Sequence, residues 1–457
     1  MEPASSLWVS TKLPEASLRH LHLDEPAKPT PSSFKLGDAA QTAIGLSALS
    51  AAYFYQLRTG VEQDVSVDSR HAGLEFHSEA HYTLDGVKPG SVWDSIAGLY
   101  KTLNGGYVRI HTNLPHHRKG ILDILDIPDN PTVTRFQVQQ ALIRWDSIDF
   151  ETEAARRGMC ATAYRSFDEW NAHPQAEALR GLPPITLTKI GEAPKRRPTG
   201  GTRPLDGIRV LDLSRVIAGP VAGRALAAHG ADVLLVTSPH LPALPVLDAD
   251  TSRGKRTTQL DLNTPEGRAK LGELCEEADV FVQAYRPGAL EAKGFGVGVG
   301  SPGMVYASLN AWGWDGPWKD RRGFDSLVQT ATGFNADEGA AFREPHPRPL
   351  PMQALDHAAG YLLAFGINAA LCKTLTEGGS WEVRVSLAAV GQWIRSLGRV
   401  PVPAEQIDEH VEELLVDWEG ERKMRALRHA AIMSATPVKV GNAPMGLDMH
   451  LPEWLPI

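Results

Sequence analysis

The stretch "PLDGIRVLDLSRVIAGPVAGRALAAHGADVLLV", residues 204–236, decides the fold of this chain. It contains two short apolar segments, GIRVLDLS and ADVLLV, and between them a helical segment that ends at Gly230. Strands without a polar face are buried on both sides, and a short helix between two of them is typical of a βαβ unit. The stretch therefore predicts a parallel sheet covered by helices.

The alternation of strands and helices continues after residue 236. "TPEGRAKLGELCEEA", 264–278, predicts an amphipathic helix with Thr264 as its N-cap and Pro265 in its first position. "DVFVQAY", 279–285, and "GMVYASLNAWG", 303–313, predict two more strands. We expect an α/β protein, a parallel sheet with flanking helices plus a smaller α/β domain.

Changes in composition divide the chain into five parts. The predicted parts are a loosely ordered N-terminal arm rich in Pro and Ser (1–40), a smaller α/β region (41–190), a linker (191–204), the sheet domain (205–400), and a C-terminal helix with a closing tail (401–457). The linker "GEAPKRRPTGGTRP" is rich in Pro, Gly and basic residues. Within the smaller region, "EFHSEAHYTL", 75–84, and "GGYVRIHTN", 105–113, alternate like strands, with a turn at Asp85-Gly86.

The composition excludes several classes of protein. The chain has 457 residues, 46 basic and 54 acidic, with a net charge of −8, which does not favour a nucleic-acid or membrane-surface partner. Its three cysteines form no CxxC pair, which indicates a reducing compartment. We see no apolar run near the roughly 18 residues of a membrane span, and no signal peptide. We expect a cytoplasmic protein, with an organellar matrix as the alternative.

Familiar cofactor and hydrolase motifs are missing from the sequence. It contains no GxGxxG at the first βα turn, no GxxxxGK[ST], no HExxH and no GxSxG. The cluster His111, His116 and His117 has no acidic partner at ligand spacing, so we interpret these side chains as surface histidines and expect no metal site.

Basic residues in three loops are candidates for binding an anionic ligand. Lys255 and Arg256 lie in a Gly-Lys-Arg turn, a pattern that can hold phosphates but is also typical of a solvated turn. Arg286 follows a predicted strand, at the carboxyl edge of the sheet where α/β proteins bind ligands. Arg322 lies in a loop rich in Trp and Gly, at 312–333.

A carboxylate stands near the start of the long apolar segment "PLPMQALDHAAGYLLAFGINAALC", 349–372. Asp356 is either the N-cap of a buried helix or a nucleophile or base that the helix holds in a pocket. The neighbouring His357 points about 100° away on a helix, so we do not expect it to face the same pocket.

Six blocks of the sequence resemble the family III CoA-transferases, which include carnitine, formyl and bile-acid CoA-transferases and α-methylacyl-CoA racemases. The blocks run in the family's order from about 204 to 395: the opening stretch, "RGKRTTQLDLNTPEGRAKL", "ADVFVQAYRPGALEAKGFG", "GFDSLVQTATG", "ALDHAAGYLLAFGINAAL" and "VRVSLAAV". Residues 93–113 resemble the family's small domain but precede the sheet domain, which suggests a permuted or fused order of domains.

The resemblance implies a Rossmann-like CoA-binding domain and transfer of CoA from an acyl-CoA to a small carboxylic acid. Asp356 matches the family's nucleophilic aspartate, which forms an aspartyl-CoA thioester. The positions that match the CoA site are Ala218, Lys255, Arg256, Ala284, Tyr285, Arg286 and Arg322. Coenzyme A and acyl-CoA enter as substrates, no metal is implied, and members of the family form interlocked homodimers.

Two alternatives stay open. The racemases of the family use a histidine inside the Gly-x-Asp block, and this chain has Phe324 there, which favours transferase chemistry over racemisation. A non-catalytic acyl-CoA-binding homologue is the other alternative, because Thr237 replaces the family's acidic residue at the end of the second strand and the order of domains is unusual.

Overall fold

The computed structural model describes residues 2–25, 27, 30–402 and 410–456. The helices are α1 (Glu2–Ser10), α2 (Leu36–Thr59), α3 (Ser69–Glu75), α4 (Pro115–Ile124), α5 (Arg135–Leu142), α6 (Ser147–Arg156), α7 (Phe167–Asn171), α8 (Pro174–Leu179), α9 (Ala218–Ala228), α10 (Pro245–Thr251), α11 (Pro265–Glu277), α12 (Asp325–Ala331), α13 (Phe334–Ala341), α14 (Ala354–Thr376) and α15 (Leu387–Ser396). The strands are β1 (Leu21–Leu23), β2 (Val65–Val67), β3 (Tyr82–Leu84), β4 (Gly98–Lys101), β5 (Tyr107–Ile110), β6 (Ala161–Ala163), β7 (Ile185–Gly191), β8 (Arg209–Leu213), β9 (Asp232–Thr237), β10 (Arg256–Gln259), β11 (Val280–Gln283), β12 (Val305–Asn310), β13 (Ser380–Ser386), β14 (Leu415–Trp418), β15 (Met424–Leu427) and β16 (Ala431–Met433).

A seven-stranded sheet forms the centre of the molecule, in the order β10-β9-β8-β11-β12-β13-β7. All neighbouring pairs are parallel except β13 and β7. In the middle of the sheet Val210 pairs with Val233 on one side and with Val280 on the other, and all three are buried. The predicted α/β class is confirmed, because apolar strands such as β8 and β9 are covered by helices on both faces.

Helix α14 is the core helix of the sheet domain. Its length and hydropathy are those of a membrane span, contrary to the expectation that the chain has no such run, but 94% of its apolar window is buried inside the protein. It packs against α9, where a Cβ on Gly360 would lie 2.6 Å from the carbonyl oxygen of Ala218. It also packs against α2, and the Asn368 side chain donates to the carbonyl of Ser47 (3.1 Å).

The predicted loose N-terminal arm is wrong. Residues 2–10 form a helix, and Trp8 is fully buried and stacks on Phe365 of α14, with ring centroids 5.9 Å apart. The predicted strand at 75–84 is also wrong for most of its length, since Ser78–Ala80 form a 3-10 turn and only β3 is extended. The positive φ angles of Asp85 and Gly86, 54° and 78°, agree with the predicted turn.

The predicted boundary between the linker and the sheet domain does not separate two bodies. Strand β7 precedes the boundary yet pairs with β13 as an edge of the central sheet. The linker itself is held in place, because the Arg58 guanidinium donates to the carbonyls of Thr199, Gly200 and Pro204.

The C-terminal part joins the first half of the chain. The helix predicted after residue 400 falls partly on 403–409, outside the described residues. In 410–456 the structure has a 3-10 turn, Glu412–Leu414, and the strands β14, β15 and β16. Strand β15 pairs with β3 and β16 with β2, so the tail closes sheets that the N-terminal half began.

A smaller antiparallel sheet, β4-β5-β6, forms the second α/β unit with α4, α5 and α6. Thr134 caps α5 in a reciprocal pair with Gln137, and Asp146 caps α6. This unit carries the histidine cluster 111–117 and lies against the loop at 322–324 of the sheet domain.

Candidate active site

A cavity of about 450 Å³ lies at the carboxyl edge of the central sheet. Leu213, Thr237, Ala284 and Asn310, at the ends of β8, β9, β11 and β12 or one residue beyond, line it. Loops at this edge of a parallel sheet are the usual place for ligands, because several strands end there side by side. The position agrees with the sequence analysis.

The turn between β8 and α9 shapes one wall of the cavity. Val216 has a φ of +75°, a strained conformation for a β-branched residue that costs about 1–3 kcal/mol. A Cβ on Gly219 would lie 2.4 Å from the Cβ of Ser214, so only glycine allows this close approach. Helix α9 begins without a side-chain cap, which leaves backbone N–H groups near Ala218 to bind an anion or oxyanion.

Six of the eight predicted site residues line this cavity: Ala218, Ala284, Tyr285, Arg286, Arg322 and Asp356. Burial raises the pKa of Tyr285 to about 12, so its phenol is neutral. Arg286 forms no ion pair within the part of the chain that the structure describes, which leaves its guanidinium available to a ligand.

The other two predicted residues, Lys255 and Arg256, are elsewhere. The Lys255 ammonium is fully buried and donates to Asp212 (2.7 Å) and to the carbonyl of Pro220 (2.8 Å). The Arg256 guanidinium forms two 2.9 Å hydrogen bonds with Asp232. Both residues stand at the amino end of β10, whereas the cavity opens at the carboxyl ends of the strands. The structure does not bring Lys255 and Arg256 to this cavity, and their role in holding phosphates stays a prediction.

Asp356 lines the cavity and is 7% exposed. It is not an N-cap, because α14 begins after Gln353 and Asp356 is the third residue of the helix. Its backbone N–H donates to the carboxylate of Asp325 (2.9 Å), so Asp325 performs the capping.

Three carboxyl groups lie close together at the start of α14. Burial raises the pKa of Asp356 well above its usual range, and the negative charges of Asp325 and Glu79 raise it further. Burial also raises the pKa of Asp325, to about 6. A carboxyl group with a raised pKa is a strong nucleophile once ionised, because its conjugate acid is weak.

His357 points away from the cavity, as expected. Its Nε2 atom lies 3.0 Å from the Glu79 carboxylate, and its ring stacks on Phe76 with centroids 5.8 Å apart. The residue is fully buried, so it holds the N-terminal half against α14.

The interpretation of His111 and His117 as surface residues is wrong. Both are buried, and His111 stacks in parallel on Phe324 with ring centroids 3.7 Å apart. His117 lines the cavity and its Nε2 accepts from the Arg322 guanidinium (2.9 Å), so Nδ1 carries the proton in the neutral ring. Burial and the nearby cations lower the pKa of each histidine to about 3. No local sequence pattern could have predicted this contact, because His117 and Arg322 are 205 residues apart.

Arg215 and Arg321 also line the cavity and were not predicted. Arg215 directly follows Ser214 in the first βα turn, so its place beside a strand end was a signal that could have identified it. Among the described residues no group of three or more His, Cys, Asp and Glu side chains could hold a metal ion.

The cavity lies at the carboxyl edge of a parallel α/β sheet and is lined by several arginines. Residues 205–399 match the family model described as CoA-transferase family III, so the resemblance is confirmed over this segment of the chain.

Known relatives of the chain carry names of the same kind. An acetyl-coenzyme A transferase of Hypoxylon pulicicidum is 28% identical over 418 residues, 80% of this chain and 70% of that protein. A probable fatty acyl-CoA transferase of Mycobacterium tuberculosis is 35% identical over 207 residues, 41% of this chain and 52% of that protein. A crystal structure from M. tuberculosis is 31% identical and covers 45% of this chain and 58% of that one, with a TM-score of 0.37.

Proposed function

We propose that this protein transfers CoA from an acyl-CoA to a carboxylic acid, with Asp356 as the covalent nucleophile. One observation carries the proposal: the Asp356 carboxyl lines the 450 Å³ cavity at the sheet edge, within the segment that matches the family model. The names of the relatives support CoA transfer in general.

The reaction needs one nucleophilic carboxylate, and the CoA thiolate that it releases must be able to reach the aspartyl carbonyl. The Asp356 carboxylate attacks the thioester carbon of the donor, which gives a mixed anhydride and releases CoA thiolate. The thiolate attacks the aspartyl carbonyl, which forms an aspartyl-CoA thioester and releases the donor acid as its carboxylate. The acceptor carboxylate then attacks this thioester, and the returning thiolate attacks the acceptor's acyl carbon, which yields the new acyl-CoA and frees Asp356.

The surroundings of Asp356 suit these steps. Apolar side chains at the cavity wall, such as Ile217 and Leu387, exclude water from the activated intermediates. The first residues of α9 line the cavity, and the uncapped backbone N–H groups of this helix end can stabilise a negative oxygen. The cations of Arg215, Arg286 and Arg322 supply the charge that a nucleotide phosphate needs.

A racemase is the second candidate, because the structure brings His111 and His117 against Phe324. Both histidines have a pKa of about 3, so each is a weak base and a poor acceptor for an α-proton. Transfer is therefore the proposal that the site supports better. The homodimer and the cytoplasmic location that we expect from the sequence stay predictions.

A trapping experiment tests the proposal. The protein is incubated with a panel of acyl-CoAs, hydroxylamine or borohydride is added, and modified peptides are mapped by mass spectrometry. We expect a hydroxamate or a reduced side chain at Asp356, absent from Asp356→Ala and unchanged in Asp123→Ala, a surface carboxylate.

Other results would contradict covalent transfer. Exchange of the α-proton in deuterated water without an adduct would support the racemase. CoA binding with neither signal would indicate an acyl-CoA-binding homologue without activity.

A further inference from the structure

A second cavity, of about 290 Å³, lies at the far end of α9. Ala227 and Ala228, at the end of the helix, line it, whereas Ala218 at the start lines the first cavity. Eleven residues of helix separate the two ends by about 16 Å. Residues of β14, β16 and the segment 437–441 complete the wall, so this cavity depends on the C-terminal tail and is distinct from the candidate active site.

The wall of this cavity is rich in permanent cations. It contains a single carboxylate, Glu75, and five basic side chains: Arg203, Arg224, Arg253, Arg428 and Lys439. The carboxylate of Asp250 pairs with two of them at once, Arg224 (2.6 Å) and Arg253 (2.7 Å).

The remaining three cations are not neutralised in the same way. The Arg203 guanidinium donates to the carbonyls of Ala227 (3.2 Å) and Ala228 (2.7 Å), and the carboxylate of Asp206 is nearby. Arg428 and Lys439 form no ion pair with any residue in 2–25, 27, 30–402 or 410–456. The wall therefore keeps an excess of positive charge.

Two buried polar atoms in the wall have no hydrogen-bond partner among the described residues. One is Nε2 of His429, whose Nδ1 contacts the Glu75 carboxylate (3.1 Å) and whose side chain is 6% exposed. The other is Nε1 of Trp418, a donor only. An unsatisfied buried polar group costs about 1–3 kcal/mol, so each of these atoms indicates a ligand group or water that would bind it.

We propose that this second cavity binds a small polyphosphate anion of the nucleoside diphosphate class. Arg428 and Lys439 would pair with phosphate oxygens, Nε1 of Trp418 would donate to one, and Nε2 of His429 would meet the ligand at the buried end. A single carboxylate ligand would leave most of the positive charge unmatched, which is why the charge points to a polyphosphate. The proposal does not depend on the proposed transferase activity.

Isothermal titration calorimetry of the full chain tests the proposal with two probes, inorganic pyrophosphate and ADP. We expect each probe to bind a site that Arg286→Ala, a change in the first cavity, leaves intact, and we expect added salt to weaken this binding because the contacts are ionic. Binding of ADP without pyrophosphate would show that the base rather than the phosphates is recognised, and would overturn the proposal. No binding of either probe would overturn it as well.

Two double variants test whether pyrophosphate binds in the second cavity. Arg428→Ala combined with Lys439→Ala should weaken pyrophosphate binding by about 10-fold or more, since it removes two charge-assisted contacts. The matched control is Arg425→Ala with Lys423→Ala, which removes two exposed cations that do not line the cavity. Because Arg428 and Lys439 are exposed, both double variants should fold, which circular dichroism checks.

A last variant shows which of the two cavities binds the anion. Arg286→Ala alters the wall of the first cavity and no residue of the second, so pyrophosphate binding at the second cavity should persist. Loss of binding in Arg286→Ala, or full binding in the Arg428→Ala and Lys439→Ala double variant, would place the anion in the first cavity and refute the proposal.

Discussion

The side chain of Asp356 lies in an environment that opposes its ionisation. It is buried, and the carboxylates of Asp325 and Glu79 are its charged neighbours. The folded protein therefore holds the Asp356 proton more tightly than the unfolded chain does. By linkage, the free energy of unfolding falls as pH rises from about 4, the ordinary value for Asp, through the raised folded-state pKa.

Asp356→Asn should stabilise the protein at neutral and alkaline pH. Each unit of pKa difference between the folded and unfolded states is worth about 1.4 kcal/mol, so we expect a gain on the order of 1 kcal/mol at pH 8 and none at pH 4. Urea unfolding of wild type and variant at both pH values measures it. If the free energies of unfolding of variant and wild type differ by the same amount at pH 4 and pH 8, the charge of the Asp356 carboxyl is not the cause of the stabilisation.

Lys255 and Arg286 should respond differently to substitution, although both are basic residues of motifs that resemble the CoA site. Lys255→Ala leaves the buried Asp212 carboxylate without its partner and should cost about 3–5 kcal/mol of stability. Arg286→Ala should leave stability nearly unchanged and weaken CoA binding by about 10-fold. Thermal unfolding and calorimetry with CoA measure the two effects. A large loss of stability in Arg286→Ala would contradict this division.

At the scale of elements, α14 and α12 meet where the candidate nucleophile lies. Asp325, the first residue of α12, accepts a hydrogen bond from the Asp356 N–H at the start of α14 and another from the Gln329 side chain. One carboxylate thus fixes the start of the core helix and sets the charge beside Asp356. Asp325 is a positioning residue.

Asp325→Asn should shift the pH dependence of CoA transfer. Asparagine keeps an oxygen that accepts from the Asp356 N–H but removes the negative charge, so the pKa of Asp356 falls and the acidic limb of the kcat/KM profile moves to lower pH. Asp325→Ala removes the cap as well and should cost about 1–2 kcal/mol. The profile of Asp123→Asn, a surface control, should match wild type. An unshifted profile in Asp325→Asn would rule out electrostatic coupling between the two carboxyls.

At the scale of the whole molecule, the N-terminal half encloses the sheet domain. Trp8 stacks on Phe365, and Glu79 pairs with His357, so α14 is buried by residues that lie more than 250 positions earlier in the chain. The smaller α/β unit adds His117 to the wall of the candidate active site. The cavity is therefore built from both halves of one chain.

Trp8→Ala should destabilise the whole protein. Removal of a fully buried aromatic side chain costs about 3–5 kcal/mol, since the cavity it leaves does not close. Phe136→Ala is the control, because Phe136 is 71% exposed and should cost about 0.5 kcal/mol or less. Denaturant unfolding compares the two. A Trp8→Ala variant as stable as wild type would mean that residues 2–10 contribute nothing to the core.

Local sequence patterns determined the class of fold and part of the site. Apolar runs such as 207–214 predict buried strands, and Arg286 was placed at the sheet edge because it follows one of them, whereas Ala218 and Ala284 were named from the family resemblance. The N-cap at Thr264 was found in the same way, because a cap depends only on neighbouring residues.

Only the tertiary structure decided which charged and aromatic side chains face a ligand. Lys255 turns inward because Asp212, 43 residues away, needs a partner in the core, and His117 reaches the cavity because a separate unit packs against residues 322–324. Trp8 is buried in the core because its ring packs on Phe365 of α14. Each depends on contacts between distant segments, which composition and periodicity do not encode, whereas strands and caps arise from interactions within a few residues.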